Sequence, residues 1–596
     1  MAKKIIPVKY TNRDFDSIKA DLINYAKVYY PDTYQDFSEA SFGSLLLDMV
    51  AYAGDVLSFY VDYQANETYL DSAIEKKNLF SLAKQLGYKR PQAFTATGKC
   101  AFYVQVPSDS TGNPDADLVP ILKTGTTLAS SAGNSFILSS DVDFTRSDVQ
   151  KVVAEMNSDG SAKTYAYKAY GDVISGILET EILTVGSYQK FLKLELNGDN
   201  ISEIISVVDS EGNEYHEVPY LSQNSVYQAL RNPSTDTEDA PYILREKLVP
   251  RRFVVEVDEE GVTHLRFGYG SESSLKDNEF PDPTDVALKR YARDYYSDDS
   301  FDPSILLKTD KFGIVPPQGQ LLVSYRRNDS DSVNTAVGSI NNVVTPLLSF
   351  TTDDLPSSGQ YQAIISSLDA ENEEPLVGDI NELTPEEIRT RAIDAYASQN
   401  RAVTRQDYLS IIYRMPGKLG AIKRANIVQD KDSFKRNLNL YVISEDVNGK
   451  LAQSSTTIKE NLKLWISQYK MINDTIDILD GQIVNVGIEF TVLGKLDANQ
   501  SEILEKCNSA LKQKFSEQLL FGAPFYISEI YRVLNDIPEV VDAQTVKIIQ
   551  KTGSNYSSYN FDIDAATTAD DRFIIVPENI VLEFKYPDVD IVGAVK

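Results

Sequence analysis

Cysteine, histidine and tryptophan are scarce in this chain: two, two and one in 596 residues. Cys100 and Cys507 lie far apart, so a disulfide framework is excluded. Cys507 shares a helical face with Ile503, Leu504 and Leu511, which predicts a small buried hydrophobe. Neither His216 nor His264 has a second ligand at a helical metal spacing, and His264 falls inside a predicted strand, where a hydrogen-bonded structural role is expected. No Gly-x-Ser-x-Gly elbow accompanies either histidine, and no Walker A sequence exists. Ser81-Leu82-Ala83-Lys84 fits Ser-x-x-Lys without its partner motifs, and Gly268-Tyr269-Gly270 is followed by Ser273 where a dinucleotide fingerprint needs glycine. No catalytic, cofactor or metal site is expected, and the protein is not read as an enzyme. Runs of about 18 or more apolar residues are also missing, so membrane insertion is not expected. The N-terminus, Met1 to Pro7, lacks the apolar core of a signal peptide, and synthesis in a reducing cytoplasm is the expectation.

Positive charge is in short supply too. Fifty-eight Lys and Arg face 87 Asp and Glu, a net charge of −29. That balance excludes a general nucleic-acid binder, which needs clustered cations against phosphate. The acidic pairs Asp562 with Asp564 and Asp570 with Asp571 lack the glycine and closing glutamate of a calcium loop and read as solvated turns.

What is present is ordinary globular material, 42% hydrophobic and 10% aromatic. At this length it should divide into about three to five domains. Thirty-five tyrosines suit sheet edges and partly wet protein interfaces. The pattern predicts an α+β multidomain protein. Residues 1–95 read as an N-terminal helical, bundle-forming region, and 96–330 as β-rich, with two sandwich-like or barrel-like subdomains. Residues 331–425 read as an acidic linker and a capped-helix elbow, and 426–596 as a C-terminal ferredoxin-like α+β domain.

In the helical region, Leu45 to Gln64 carries two adjacent heptad-spaced seams. One holds Leu45, Met49, Tyr52, Val56, Phe59 and Tyr63; the other holds Leu46, Val50, Ala53, Leu57 and Tyr60. Such a face is too wide for a two-stranded coil and fits a helix packed among several others, within the chain or between chains. Asp48, Asp55 and Asp62 form a strip expected to face solvent. A second helix is expected over about Ser72 to Leu86, and a further one over Asp285 to Tyr296.

The elbow begins at Thr384, where Pro385 and Glu387 complete a capping box. Its helix should break near Asn400, and Thr404 with Asp407 caps a second helix ending before Pro416 and Gly417. Between Pro385 and Arg436 eleven Lys and Arg stand against six Asp and Glu. This is a local basic surface, either scattered and solvated or docking against acidic groups.

The wording Arg401-Ala402-Val403-Thr404-Arg405 with Asp407-Tyr408 closely resembles the signature of baseplate J-like proteins, the family that includes large wedge proteins of contractile phage tails (myophages). Leu265 to Gly270, then Pro316 to Gln320 and Val323 to Arg326, is similar to that family's strand, glycine turn and return strand. Phe42-Gly43 with Leu46, Leu47, Asp48, Ala51, Tyr52, Asp55, Tyr60 and Gln64 resembles the start of such wedge proteins. Tyr526 to Tyr531 with Val540-Val541-Asp542 also fits. Tyr269, where the family often has aspartate, and the long span from Ser271 to Val315 depart from its pattern.

The resemblance implies a structural virion protein of the viral tail baseplate. It would form a homodimer within a wedge, joined to other wedge proteins and a small sheath-initiating wedge protein, in a ring around the hub that transmits the contraction trigger. The interface residues it nominates are Leu46, Val50, Leu57, Tyr60, Arg401 and Arg405. A baseplate-borne glycan hydrolase is one alternative, needing two carboxylates about 5 to 9.5 Å apart across a cleft. A receptor-binding adhesin is the other, favouring a repetitive β-fibre.

Overall fold

The computed structural model describes residues 14–32, 41–146, 149–158, 160–231, 242–258, 260–270, 312–350, 357–430, 437–495, 498–515 and 519–596. The expected Asp285–Tyr296 helix lies outside them. The longer helices are α1 Phe15–Tyr29, α2 Phe42–Asn66, α3 Lys76–Gln85, α4 Ser358–Ser367, α5 Pro385–Ser398, α6 Arg405–Tyr413, α7 Thr456–Ser467, α8 Gln500–Lys514 and α9 Ile527–Asn535. The chain divides into two units. The first comprises residues 1–90, 256–262 and 382–399; the second comprises 91–255, 263–381 and 400–596.

The first unit is helical. Asp14 caps α1 reciprocally with Ser17, and Ser41 caps α2. Lys19 of α1 reaches Asp48 of α2 at 2.7 Å, and Ile18 lies against Gly54, where an added Cβ would stand 3.2 Å from its Cδ1. Buried Glu67 then organises the turn into α3, accepting from the Ile74 amide at 2.8 Å and the Asn78 side chain at 2.9 Å. Helix α5 packs on α3 and buries Ile388, Arg389, Arg391, Ala392 and Ala395. Thr384, Pro385 and Glu387 start it with the expected capping box. It ends in two left-handed residues, Gln399 (φ 47°) and Asn400 (φ 61°), a conformation that costs a non-glycine residue about 1–2 kcal/mol.

The second unit begins with two seven-stranded sheets. The first takes strands Thr97–Pro107, Thr127–Ser130, Ser135–Leu138, Gln150–Met156 and Ala162–Ser175, then two later arrivals, Ile340–Thr345 and Asp369–Glu371. Residues 331–381, read as linker, therefore supply part of this sheet, and Asn372 within them is fully buried. Phe102, Phe136, Phe144 and Leu122 form its core.

The second sheet runs in the order Ile177–Val185, Gly319–Arg327, Ile201–Asp209, Glu214–Glu217, Arg252–Val257, Thr263–Phe267 and Lys193–Glu195. Its separate core holds Val207, Phe253, Leu265, Phe267 and Val323. Gly268 is obligatory here, because a Cβ would come 2.2 Å from the Phe312 carbonyl and 2.3 Å from that of Gly313. The turn expected at Glu211-Gly212-Asn213 is present, with Gly212 at positive φ, whereas around Asn197-Gly198-Asp199 the chain only bends, at Asp199 and Asn200, the latter at positive φ.

Where the sequence predicts one two-layer ferredoxin-like domain at the C-terminus, the described residues hold two four-stranded sheets, besides a short pairing of Phe525–Tyr526 with Phe573–Ile574. Arg424–Gln429, Asn437–Glu445, Leu451–Ala452 and Thr475–Asp480 form one, packed with α6 and α7. Gln482–Gly494 is central in the other, beside Val540–Gln550, Ile580–Glu583 and Ile591–Val595, and covered by α8 and α9. The chain changes sheets at Gly481. A Cβ there would meet Phe521 Cζ at 2.4 Å, so only glycine passes between the layers. Helix α7 is capped by Ser455, two residues before the expected Thr457. Cys507 is buried between Ile503 and Leu511, and burial pushes its thiol up to about 11.

A polar node ties the first sheet to this C-terminal region. Asn334 donates to the carbonyls of Asp379 (2.8 Å) and Glu445 (3.0 Å). The Asn381 amide donates to Glu445 at 3.1 Å, and buried Lys423 stands 3.4 Å from the same carboxylate. Asp379 accepts from the Val333 amide. Its burial, with Glu445 and Asp331 nearby, pushes the carboxyl from 3.8 up to about 7.

In that interval the native chain holds a proton that the unfolded chain releases. Stability therefore falls as pH rises through it, by at most about 1.4 kcal/mol per unit. Asp379→Asn should remove this slope, so that its thermal melting gains on the wild type between about pH 5 and about pH 8. Parallel melting curves would show that Asp379 does not titrate there.

Candidate functional site

Helix α2 is reversed relative to the expectation for a soluble surface helix. Its acid strip is the covered side: Asp48 is bound by Lys19, and Asp55 and Asp62 are half-buried. Its apolar seams are bare. Met49 is 62% exposed, Leu57 65% and Phe59 64%, and Leu45, Leu46, Val50, Tyr52 and Tyr60 are likewise open. Only Ser44, Ala51 and Asn66 of its 25 residues are buried. The reason is geometric. Helix α1 docks where Gly54 leaves room for Ile18, and that side carries Asp48. Leu46, Val50, Leu57 and Tyr60, nominated from the sequence, all lie on the open face.

By length and composition α2 is also long and apolar enough to cross a membrane. Asp55 near its middle opposes that use, since an aspartate at a bilayer centre costs about 2.5–3.5 kcal/mol.

The basic corner is built differently from the expectation of a free docking surface. Arg389 and Arg391 are buried. Arg389 donates to the Leu70 carbonyl at 2.9 Å, to the Ala73 carbonyl, and to Glu386 at 2.8 Å. In the second unit, the Ala402 amide donates to the Tyr469 carbonyl and Thr404 and Asp407 form the expected capping box. Arg405 bonds the Asn426 side chain and stands 3.3 Å from Glu578. Tyr408 donates to Asp474 at 2.6 Å, and burial, reinforced by that carboxylate, pushes its phenol well above the ordinary range. Arg414 donates to Asn400 and Lys418 stands 3.5 Å from Glu203. Arg401 is exposed, with no in-chain partner among the described residues. A groove of about 560 Å³ runs beside the corner, lined by Val403, Arg405, Tyr408, Ile427, Leu438, Asp474 and Glu578 among others.

Among the described residues no group of three or more His, Cys, Asp or Glu is arranged to hold a metal. His264 is buried in its strand, and His216 stands 3.1 Å from Lys247. Burial, with Lys247 adding to it, lowers the His216 pKa. An acidic cavity of about 330 Å³ includes Glu179, Glu181 and Asp199 in its lining. Glu179 is engaged by Arg327, and Glu181 by Asn197 and Tyr325.

Comparison with known proteins bears on the segment that carries the bare helix. Residues 14–85 match the family described as bacteriophage baseplate protein, N-terminal domain. The match spans α1 to α3 and ends with α3 at Gln85. The matched segment contains both the open seams and the turn ordered by Glu67. No curated protein matches the chain. Among solved structures, the cryo-EM structure of the anti-feeding prophage baseplate aligns over 96% of this chain and 99% of its own, at 10% identity and TM-score 0.25. The TssK-TssF-TssG baseplate subcomplex of the type VI secretion system aligns over 73% and 96%, at 8% identity and TM-score 0.19. TM-scores this low fall short of a shared fold.

Proposed function

We propose that this chain is a structural, non-enzymatic baseplate protein of a contractile phage tail, a wedge component that joins a second copy and other wedge proteins into a ring around the hub. The observation that carries the reading is α2, with its bare apolar face inside the segment matching the baseplate N-terminal domain. A helix with two adjacent seams is completed by more than one helical neighbour, which fits a bundle of two copies and a smaller sheath-initiating wedge protein. Protein is favoured over lipid as the covering partner because Asp55 sits mid-helix. Ring closure would multiply modest contacts, and a rearranging ring would transmit the contraction trigger. Coexpression with the neighbouring tail proteins, followed by cryo-EM of the assembled tail, tests it. A chain that stays monomeric beside all of them refutes it.

The elbow arginines separate into two expectations. Arg401→Glu should leave monomer melting unchanged, since an exposed charge contributes about 0–1 kcal/mol, while lowering ring assembly. Arg405→Glu sets a carboxylate against Glu578 and removes the bond to Asn426. It should destabilise the monomer by about 1–2 kcal/mol. Thermal melting beside negative-stain counts of baseplates resolves the pair. Normal assembly by the Arg401 variant would remove that residue from the interface.

A further inference from the structure

Strand Ile177–Val185 stands at the end of the second sheet, paired only with Gly319–Arg327. All nine of its residues pair in unbroken register. Two other edge strands, Gln150–Met156 and Val540–Gln550, carry register shifts. Natural edges are also guarded by lysine or proline, and this strand contains neither. Among the described residues its outer edge therefore offers a regular row of backbone donors and acceptors with no strand against it.

The two faces beside that edge differ in chemistry. Leu178, Thr180, Ile182 and Thr184 are exposed in alternation. Ile182 pairs directly with Leu322, and Ile205, on the strand beyond, is also exposed. The opposite face carries Glu179 and Glu181 into the 330 Å³ cavity, whose lining sets three carboxylates, with Asp199, against the single guanidinium of Arg327. The cavity wall is fixed. The Asn197 amide donates to Glu181 at 3.2 Å, and Gly198 is seated on Tyr325, where a Cβ would stand 2.7 Å from the hydroxyl.

We infer that this edge docks an extended segment of another protein in which apolar and basic residues alternate. Adding a strand continues the ladder and sends alternate side chains to the two faces, one apolar and one acid-lined. A second copy of the same strand is disfavoured, because antiparallel self-pairing would set the Glu179 and Glu181 rows against each other. The competing account is that the two glutamates only guard the edge.

The probe is an acetylated, amidated heptapeptide of alternating valine and lysine, titrated into the full-length protein by fluorescence anisotropy with amide hydrogen exchange read in parallel. Binding should protect amides within 177–185. The double variant Glu181→Gln/Asp199→Asn, in which glutamine keeps an acceptor for Asn197, should weaken binding by about tenfold or more. A valine–glutamate peptide and a fully N-methylated valine–lysine peptide should not bind. Equal binding of either control, protection elsewhere in the chain, or no binding of the valine–lysine peptide would each overturn the assignment, the last in favour of a guarded edge.

Discussion

A chain carrying Leu46→Ser, Val50→Ser and Leu57→Ser together should melt like the wild-type monomer yet no longer copurify with the proposed wedge partners. In the isolated chain all three side chains are about half exposed or more, so serine removes little from folding. In a helical assembly each would be buried, worth roughly 1.5–3 kcal/mol apiece. Losing about 5 kcal/mol lowers an affinity more than a thousandfold. Tagged coexpression measures the association, and thermal melting of the purified monomer measures the fold. Normal copurification would make α2 ordinary surface; a clearly lower monomer melting temperature would make the seams part of an intrachain core.

The second large effect lies in the same unit and concerns folding. Arg389→Ala should loosen the α3–α5 packing by about 3 kcal/mol or more. The guanidinium satisfies the Leu70 and Ala73 carbonyls and pairs with Glu386 while itself buried. Alanine leaves those carbonyls facing a cavity, and each unsatisfied buried group costs about 1–3 kcal/mol. Hydrogen exchange across residues 70–86 and 385–398 should accelerate by two orders of magnitude or so, while the C-terminal sheets keep their protection. Unchanged exchange in those helices would mean that the three hydrogen bonds contribute no net stability.

Local signals were legible where one residue type can do one job. The capping boxes at Thr384 and Thr404, the strands around Cys100, Asn437 and Val484, and buried Cys507 all follow from short-range pattern. The apolar seams of α2 were legible too, but not which side of the helix its own chain covers. That depended on Gly54 admitting Ile18, a contact between distant residues that no periodicity encodes. The C-terminal division was hidden for a related reason: the role of Gly481 appears only once Phe521 is seen against it. Charge misled most. The basic excess around the elbow looked like one surface, yet Arg389, Arg391 and Lys423 are buried and Arg405 is bonded within the chain. A sequence shows that a cation is present, not whether its partner lies in the same molecule.

The bare face of α2 also bears on how the protein must be made. An apolar helix of 25 residues left open on a newly folded chain is the kind of surface that holdase chaperones and proteases bind, and that drives aggregation at high concentration. On the proposed reading, copies produced beyond the supply of covering helices would be the ones removed. Translation of this chain and of the proposed partners would then have to stay matched in time and number, and the same helix would set the lifetime of every copy left uncovered.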